Sequence, residues 1–168
     1  MTNTVTDVAS DLASIVRTIT PRLQSISEAA SNNARGSGTW SRKQILGHLI
    51  DSALNNLHRF VRAQQVDELK FPGYDQPFWV DQGGYQDRPW AALVGLWTGL
   101  NEHLSAVILR IHADRLQTPC IIGDSKPLAL EFIVRDYVRH LRHHLEQILE
   151  PEGSKGKTHP PFGSVKQA

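Results

Sequence analysis

In Ala129–Leu149, ALEFIVRDYVRHLRHHLEQIL, the apolar side chains Val134, Tyr137, Val138, Leu141, Leu145 and Ile148 recur at spacings of three and four. That is the period of an α-helix with one buried stripe. Pro151 stops the helix, because proline offers no amide hydrogen and crowds the preceding turn. A helix that buries one stripe needs partners of its own kind, and three earlier segments supply them.

The first segment spans roughly residues 4–30, with Val8, Leu12, Ile15, Ile19 and Leu23 on one face; Pro21 predicts a kink or break. The second begins at Ser41, an N-cap with Gln44 three residues on as in a capping box, and runs to about Gln65. Its stripe is Ile45, Leu49, Ala53, Leu57 and Phe60. The third carries Pro89 in its first turn, then Leu93, Trp97, Leu100, Leu104, Val107 and Ile111. No segment gives a strand signal. Four helices of this length predict an all-α four-helix bundle over residues 1–150. Residues 151–168, PEGSKGKTHPPFGSVKQA, read as a flexible C-terminal tail or an arm that packs on a neighbour.

The second connection, VDELKFPGYDQPFWVDQGGYQDRP (Val66–Pro89), holds Phe71, Tyr74, Phe78, Trp79 and Tyr85. A solvated linker rarely has so many aromatics, and a loop of this length in a small domain is usually functional or packed by its own side chains. It is expected to fold over one end of the bundle.

The chain has 168 residues with 40% hydrophobic and 21% charged content, ordinary for a soluble globular protein, and a formal net charge of +1. The charge balance excludes an electrostatic footprint for nucleic acid. The single cysteine, Cys120, forms no internal disulfide and reads as an incidental small residue. No apolar run approaches membrane-spanning length and the N-terminus lacks the pattern of a signal peptide, so no membrane partner and a cytoplasmic location are expected.

Eight histidines remain to be placed. At about 100° per residue, His144 falls roughly 70° and His140 roughly 110° from the centre of the last helix's stripe, on the same side. They are one turn apart and can point at a common point. His143 lies about 170° away, beside Arg139 and Glu146, and should face solvent. A His-x3-His pair at a core's edge suits a divalent metal, and a third ligand must come from elsewhere. His48 shares a ridge with Ser52, Asn55 and Arg59 that bundle packing alone would call exposed, and that would equally serve as a pocket wall. His103 lies about 80° off its own stripe and is a rival. His58 and His112 read as surface residues. Spacing does not choose between His48 and His103.

The segments WSRKQILGHLIDSALNNLHRF, FPGYDQPFWVDQGGY and VRHLRHHLEQI, in this order from Trp40 to Leu149, resemble the DinB-like (YfiT-like) superfamily of metal-dependent enzymes. The resemblance implies an up-down-down-up topology, in which the long aromatic-rich second connection makes the crossover. It implies a metal held by His48, His140 and His144, and it settles the choice against His103. Zinc or nickel would suit such ligands. It also implies a homodimer.

Three neutral imidazoles leave a metal its full charge, which activates water or a thiol and polarises a carbonyl. Relatives in the superfamily include low-molecular-weight thiol transferases, so transfer of such a thiol to an electrophilic substrate is the leading expectation. The alternatives are hydrolysis by a metal-bound hydroxide and a non-catalytic metal-binding dimer. No side chain stands out as a general base. Asp51, one turn after His48, would either orient an imidazole or be solvated. Asn55 and Arg59 are the candidate contacts to an anionic substrate. Tyr74, Trp79 and Tyr85 are candidates to cap the pocket or simply to pack. Gln147 has no assigned role.

Overall fold

The computed structural model describes residues 4–34 and 39–150. The tail expected over residues 151–168 lies outside the described residues. Four long helices dominate: α1 (Val5–Gln24), α3 (Arg42–Ala63), α5 (Trp90–Leu109) and α6 (Leu130–Leu149), with short α2 (Glu28–Asn32) and α4 (Gln76–Gln82) between them. Most residues of the stripes read from the sequence become the core, while Ile19, Leu57, Leu100 and Val107 are partly buried against it. Leu12 and Leu23 of α1, Leu46, Leu49 and Phe60 of α3, Leu93, Trp97 and Leu104 of α5, and Leu141 of α6 are all fully buried. The capping box forms as expected: the Ser41 hydroxyl accepts from the Gln44 amide at 3.2 Å, and Gln44 Oε1 accepts from the Ser41 amide at 2.9 Å.

Contacts between the helices fix their directions. The Ser105 hydroxyl donates to Ala9 carbonyl and the Trp90 indole to Leu23 carbonyl, so α1 and α5 are antiparallel. Arg42 Nε donates to Ile148 carbonyl and His48 meets His140, so α3 and α6 are antiparallel. Glu28 joins the start of α3, at Lys43, to the start of α5, at the Trp90 amide, which makes those two parallel. Arg142 pairs with Asp11, and Arg135 lies near Asp7, which makes α1 and α6 parallel. The order is up-down-down-up, and the parallel step from α3 to α5 is what the long second connection spans.

That connection is not structureless. It contains β1 (Leu69–Phe71), α4 and a 3-10 turn at Tyr85–Asp87, laid against α3. β1 pairs in parallel with β2 (Pro119–Ile122), in the register Leu69↔Cys120 and Phe71↔Ile122. β2 pairs antiparallel with β3 (Leu128–Ala129). These strands correct the expectation of no β-structure. Runs of two to four residues are too short to show a period of two, and β1 finds its partner about fifty residues away.

Three other expectations change. The first helix ends at Gln24 rather than near Ala30, and α2 is a separate turn capped by Ser27; α1 continues through Pro21 for three further residues. Pro89 precedes α5 as its N-cap rather than standing inside the first turn. α5 is, among the described helices, the one long and apolar enough to cross a membrane by length and composition, contrary to the reading of the sequence. In this fold it packs against α1 and α3, and it buries the polar Asn101, whose side chain accepts from the Tyr137 hydroxyl.

Candidate metal centre

The ridge on α3 that bundle packing would call exposed is buried. His48 is 0% exposed, and Asp51, Ser52, Asn55 and Arg59 are buried with it. The reason is local. Antiparallel α6 lies across the ridge at the His48 end, and the aromatics of the second connection cover the rest. Gly47 admits one of them: a Cβ built there would sit 2.1 Å from Tyr85 Cδ2, so only glycine lets the tyrosine ring lie on the helix. Tyr85 then donates from its hydroxyl to Asp51 Oδ1 at 2.5 Å.

His48, His140 and His144 converge, with ligand atoms all within 4.8 Å of one another. His48 Nε2 lies 3.1 Å from His140 Nε2. The His48 ring packs edge-on to both partners, with centroids 5.0 Å from His140 and 4.8 Å from His144. Trp40 covers another side of His48 at 5.4 Å. Burial, then the neighbouring His144, pulls His48 down to about 3. Burial, then His144, His48, His143 and Arg139, pulls His140 down to about 2. Both imidazoles are therefore neutral at ordinary pH, the state that ligates metal. His140 Nδ1 is buried without a hydrogen-bond partner.

His144 is held by its own helix. Its Nδ1 donates to Gln147 Oε1 at 2.8 Å, which fixes the tautomer and leaves Nε2 as the lone-pair nitrogen. Gln147 Nε2 in turn donates to His143 Nε2 at 3.2 Å. His143 is exposed, as expected, and it also steadies the residue that steadies His144. Gln147 is the functional position that the sequence reading missed. The signal was its spacing, one turn after His144, but a glutamine on a helix rim has many other uses.

His103, His58 and His112 are exposed and lie outside the cluster. Asp51 is buried rather than solvated, and its polar partner is Tyr85; Oδ2 has no hydrogen-bond partner. Burial raises its carboxyl to about 6, against the Tyr85 hydrogen bond, which lowers it. Asn55 turns its amide back to Asp51 carbonyl at 2.9 Å. Arg59 is not a surface residue: it is 2% exposed. Tyr74 and Trp79 pack on each other at 5.1 Å. Cys120 is buried, its thiol donating to Thr118 carbonyl at 3.5 Å.

The donor set fits a divalent ion. Three imidazole nitrogens from two facing helices converge at one point, with no carboxylate among them.

The chain is 24% identical over 137 residues to a protein of Oceanobacillus iheyensis named putative metal-dependent hydrolase, covering 79% of each chain. It is 26% identical over 110 residues to a Halalkalibacterium halodurans protein of the same name, covering 66% of this chain and 64% of that relative. Among solved structures it is similar to YfiT from Bacillus subtilis, described as a probable metal-dependent hydrolase with an unusual four-helix bundle topology. The TM-score is 0.73 at 20% identity, over 85% of this chain and 83% of that one. The family model described as the DinB superfamily matches residues 14–148, from the middle of α1 to the end of α6 and including all three converging histidines, and the chain belongs to that superfamily.

Proposed function

We propose that this protein is a metal-dependent hydrolase of a small-molecule substrate, with a divalent ion, zinc or nickel, held by His48, His140 and His144. The observation that carries the reading is the convergence of three imidazoles, His48 and His144 buried and His140 half-buried, on one point, with His48 and His140 held neutral by burial. The relatives' names favour hydrolysis over the other reactions open to such a site.

A bound ion would supply Lewis acidity, activating water and polarising a carbonyl. The chain's own residues do the rest. Gln147 fixes the tautomer and orientation of His144. Trp40 and the Tyr85 ring keep bulk water from the α3 side. Asp51, one turn from His48, holds a carboxyl oxygen without a hydrogen-bond partner, and burial pushes its carboxyl up from the ordinary value, so it is the acid–base candidate on this ridge. Tyr85 fixes the other oxygen.

Transfer of a low-molecular-weight thiol to an electrophile, the expectation that leads from the sequence, would use the same three imidazoles. One experiment separates the two. Metal-loaded protein is given a panel of esters and amides, and separately a panel of thiols with a generic electrophile. Acid release that His144→Ala abolishes supports hydrolysis. Metal-dependent consumption of thiol without acid release would replace that reading with transfer. Neither activity, with metal bound, would leave a non-catalytic metal-binding bundle.

A further inference from the structure

The polar stripe of α3 does not end at the histidines. It continues through Asp51, Ser52 and Asn55 to Arg59, three turns or about 16 Å of helix rise beyond His48. A bundle gains nothing from burying such a stripe unless each group is satisfied. At its far end two groups are not. Arg59 makes one hydrogen bond among the described residues, a long one of 3.5 Å from Nη1 to Asn56 Oδ1. Its Nε is buried with no partner, and no described ion pair includes it. Phe71 covers one face of the guanidinium, 5.7 Å from ring centroid to Cζ, which leaves the edge formed by Nε and Nη2 unused. That is the edge that grips a carboxylate or phosphate with two parallel hydrogen bonds.

Beside it is Tyr74. Its hydroxyl is buried next to Ser52 and makes no hydrogen bond of normal geometry. It interacts electrostatically with both Arg59 and Asp51, the two charged groups of the stripe. Arg59 is thus a buried cation with no described ion pair, and the buried Tyr74 hydroxyl, whose polar neighbour is the Ser52 side chain, is electrostatically coupled to it.

We propose that Arg59 and Tyr74 bind an anionic oxygen group, carboxylate or phosphate, at the remote end of the substrate. This rests on the hydrolase reading, in that the scissile bond would lie at the three histidines. The substrate class is then a small molecule with an acidic group at one end and a hydrolysable bond at the other. Arginine side chains lean toward the helix N-terminus, here toward His48, which sets the separation on the order of 10 Å.

The test is thermal unfolding of the full chain, metal-loaded and chelator-treated, titrated with acetate or with inorganic phosphate against chloride at constant ionic strength. The stripped form matters because it offers no ion for the anion to bind. In the wild type the unfolding temperature should rise saturably in both forms. Arg59→Met should abolish the rise, and Arg59→Lys, which keeps the charge but not the fork, should weaken half-saturation at least tenfold. Without added anion Arg59→Met should unfold at or above the wild-type temperature, because an unpaired buried charge has been removed. The relative size of the acetate and phosphate responses identifies the group. No rise in the wild type, or an equal rise in Arg59→Met, would overturn the proposal. So would an anion-free loss of stability in Arg59→Met that Arg59→Lys restores, since that marks a structural arginine. If Arg59→Met does not fold, wild-type half-saturation in Arg59→Lys overturns it. Failure of the hydrolase reading looks different: no ester is turned over, yet the Arg59-dependent response remains.

Discussion

His48 Nε2 and His140 Nε2 face each other at 3.1 Å, although 92 residues separate them in the chain. Antiparallel packing of α3 on α6 creates the contact, and burial keeps both rings neutral, so the pair must share either one proton or one cation. A cation that binds only the folded state stabilises it by mass action, about 4 kcal/mol at a thousandfold excess over Kd. Zinc added to chelator-treated protein should therefore raise the unfolding temperature by many degrees, and His140→Ala should lose that response. An equal response in the variant would place the ion elsewhere.

Gln147 acts on the site through His144. Gln147→Leu keeps the size and helix propensity but removes the oxygen that accepts from His144 Nδ1. Metal affinity should fall by roughly 10- to 100-fold, the usual effect of losing a ligand-orienting partner. Competition with a chromogenic chelator measures it. Unchanged affinity would mean that His144 is oriented by its packing alone.

Asp51 gives a pH signature in the metal-free protein. Its carboxyl is raised from 3.8 to about 6, chiefly by burial. A raised acid stabilises the fold most where it is protonated, below about pH 4, and that contribution is lost as pH rises through 6. Asp51→Asn keeps an oxygen for the Tyr85 hydroxyl and cannot ionise. Relative to wild type it should gain stability from pH 4 to pH 7, by about 1–3 kcal/mol, and plateau above that. Urea unfolding at a series of pH values checks the sign; a difference that is flat or shrinks with pH would contradict it.

Much of this site was legible, and the gaps have physical causes. The helical periods gave four helices and their stripes, and the capping box placed the start of α3 to the residue. Periodicity could not show that the His48 ridge is buried. A helical wheel knows only the helix's own residues, whereas Tyr85 and α6, both distant in sequence, do the burying. The same blindness left Arg59 open between surface and interior. His140 and His144 were readable because both ligands lie on one helix, while the choice of His48 over His103 needed the family resemblance. β1 and β2 escaped because each strand is shorter than the pattern that would reveal it.

Gly47 tests the packing that holds Asp51 in place. An alanine Cβ would overlap the Tyr85 ring at 2.1 Å, and a ring fixed at its hydroxyl cannot easily move aside. Gly47→Ala should cost about 1–3 kcal/mol, despite alanine's better helix propensity. In a Tyr85→Ala background the same substitution should cost little, since the clash is gone. Thermal melts of the four proteins in the cycle give the coupling; additive costs would mean that the ring does not rest on Gly47.

The most direct test of the account is the metal content of protein purified without a nickel column, compared with His144→Ala prepared in the same way. Elemental analysis should find close to one divalent ion per wild-type chain and little in the variant, with helical circular dichroism preserved in both. A metal-free wild type, or a variant that keeps its full complement, would contradict a centre built from His48, His140 and His144.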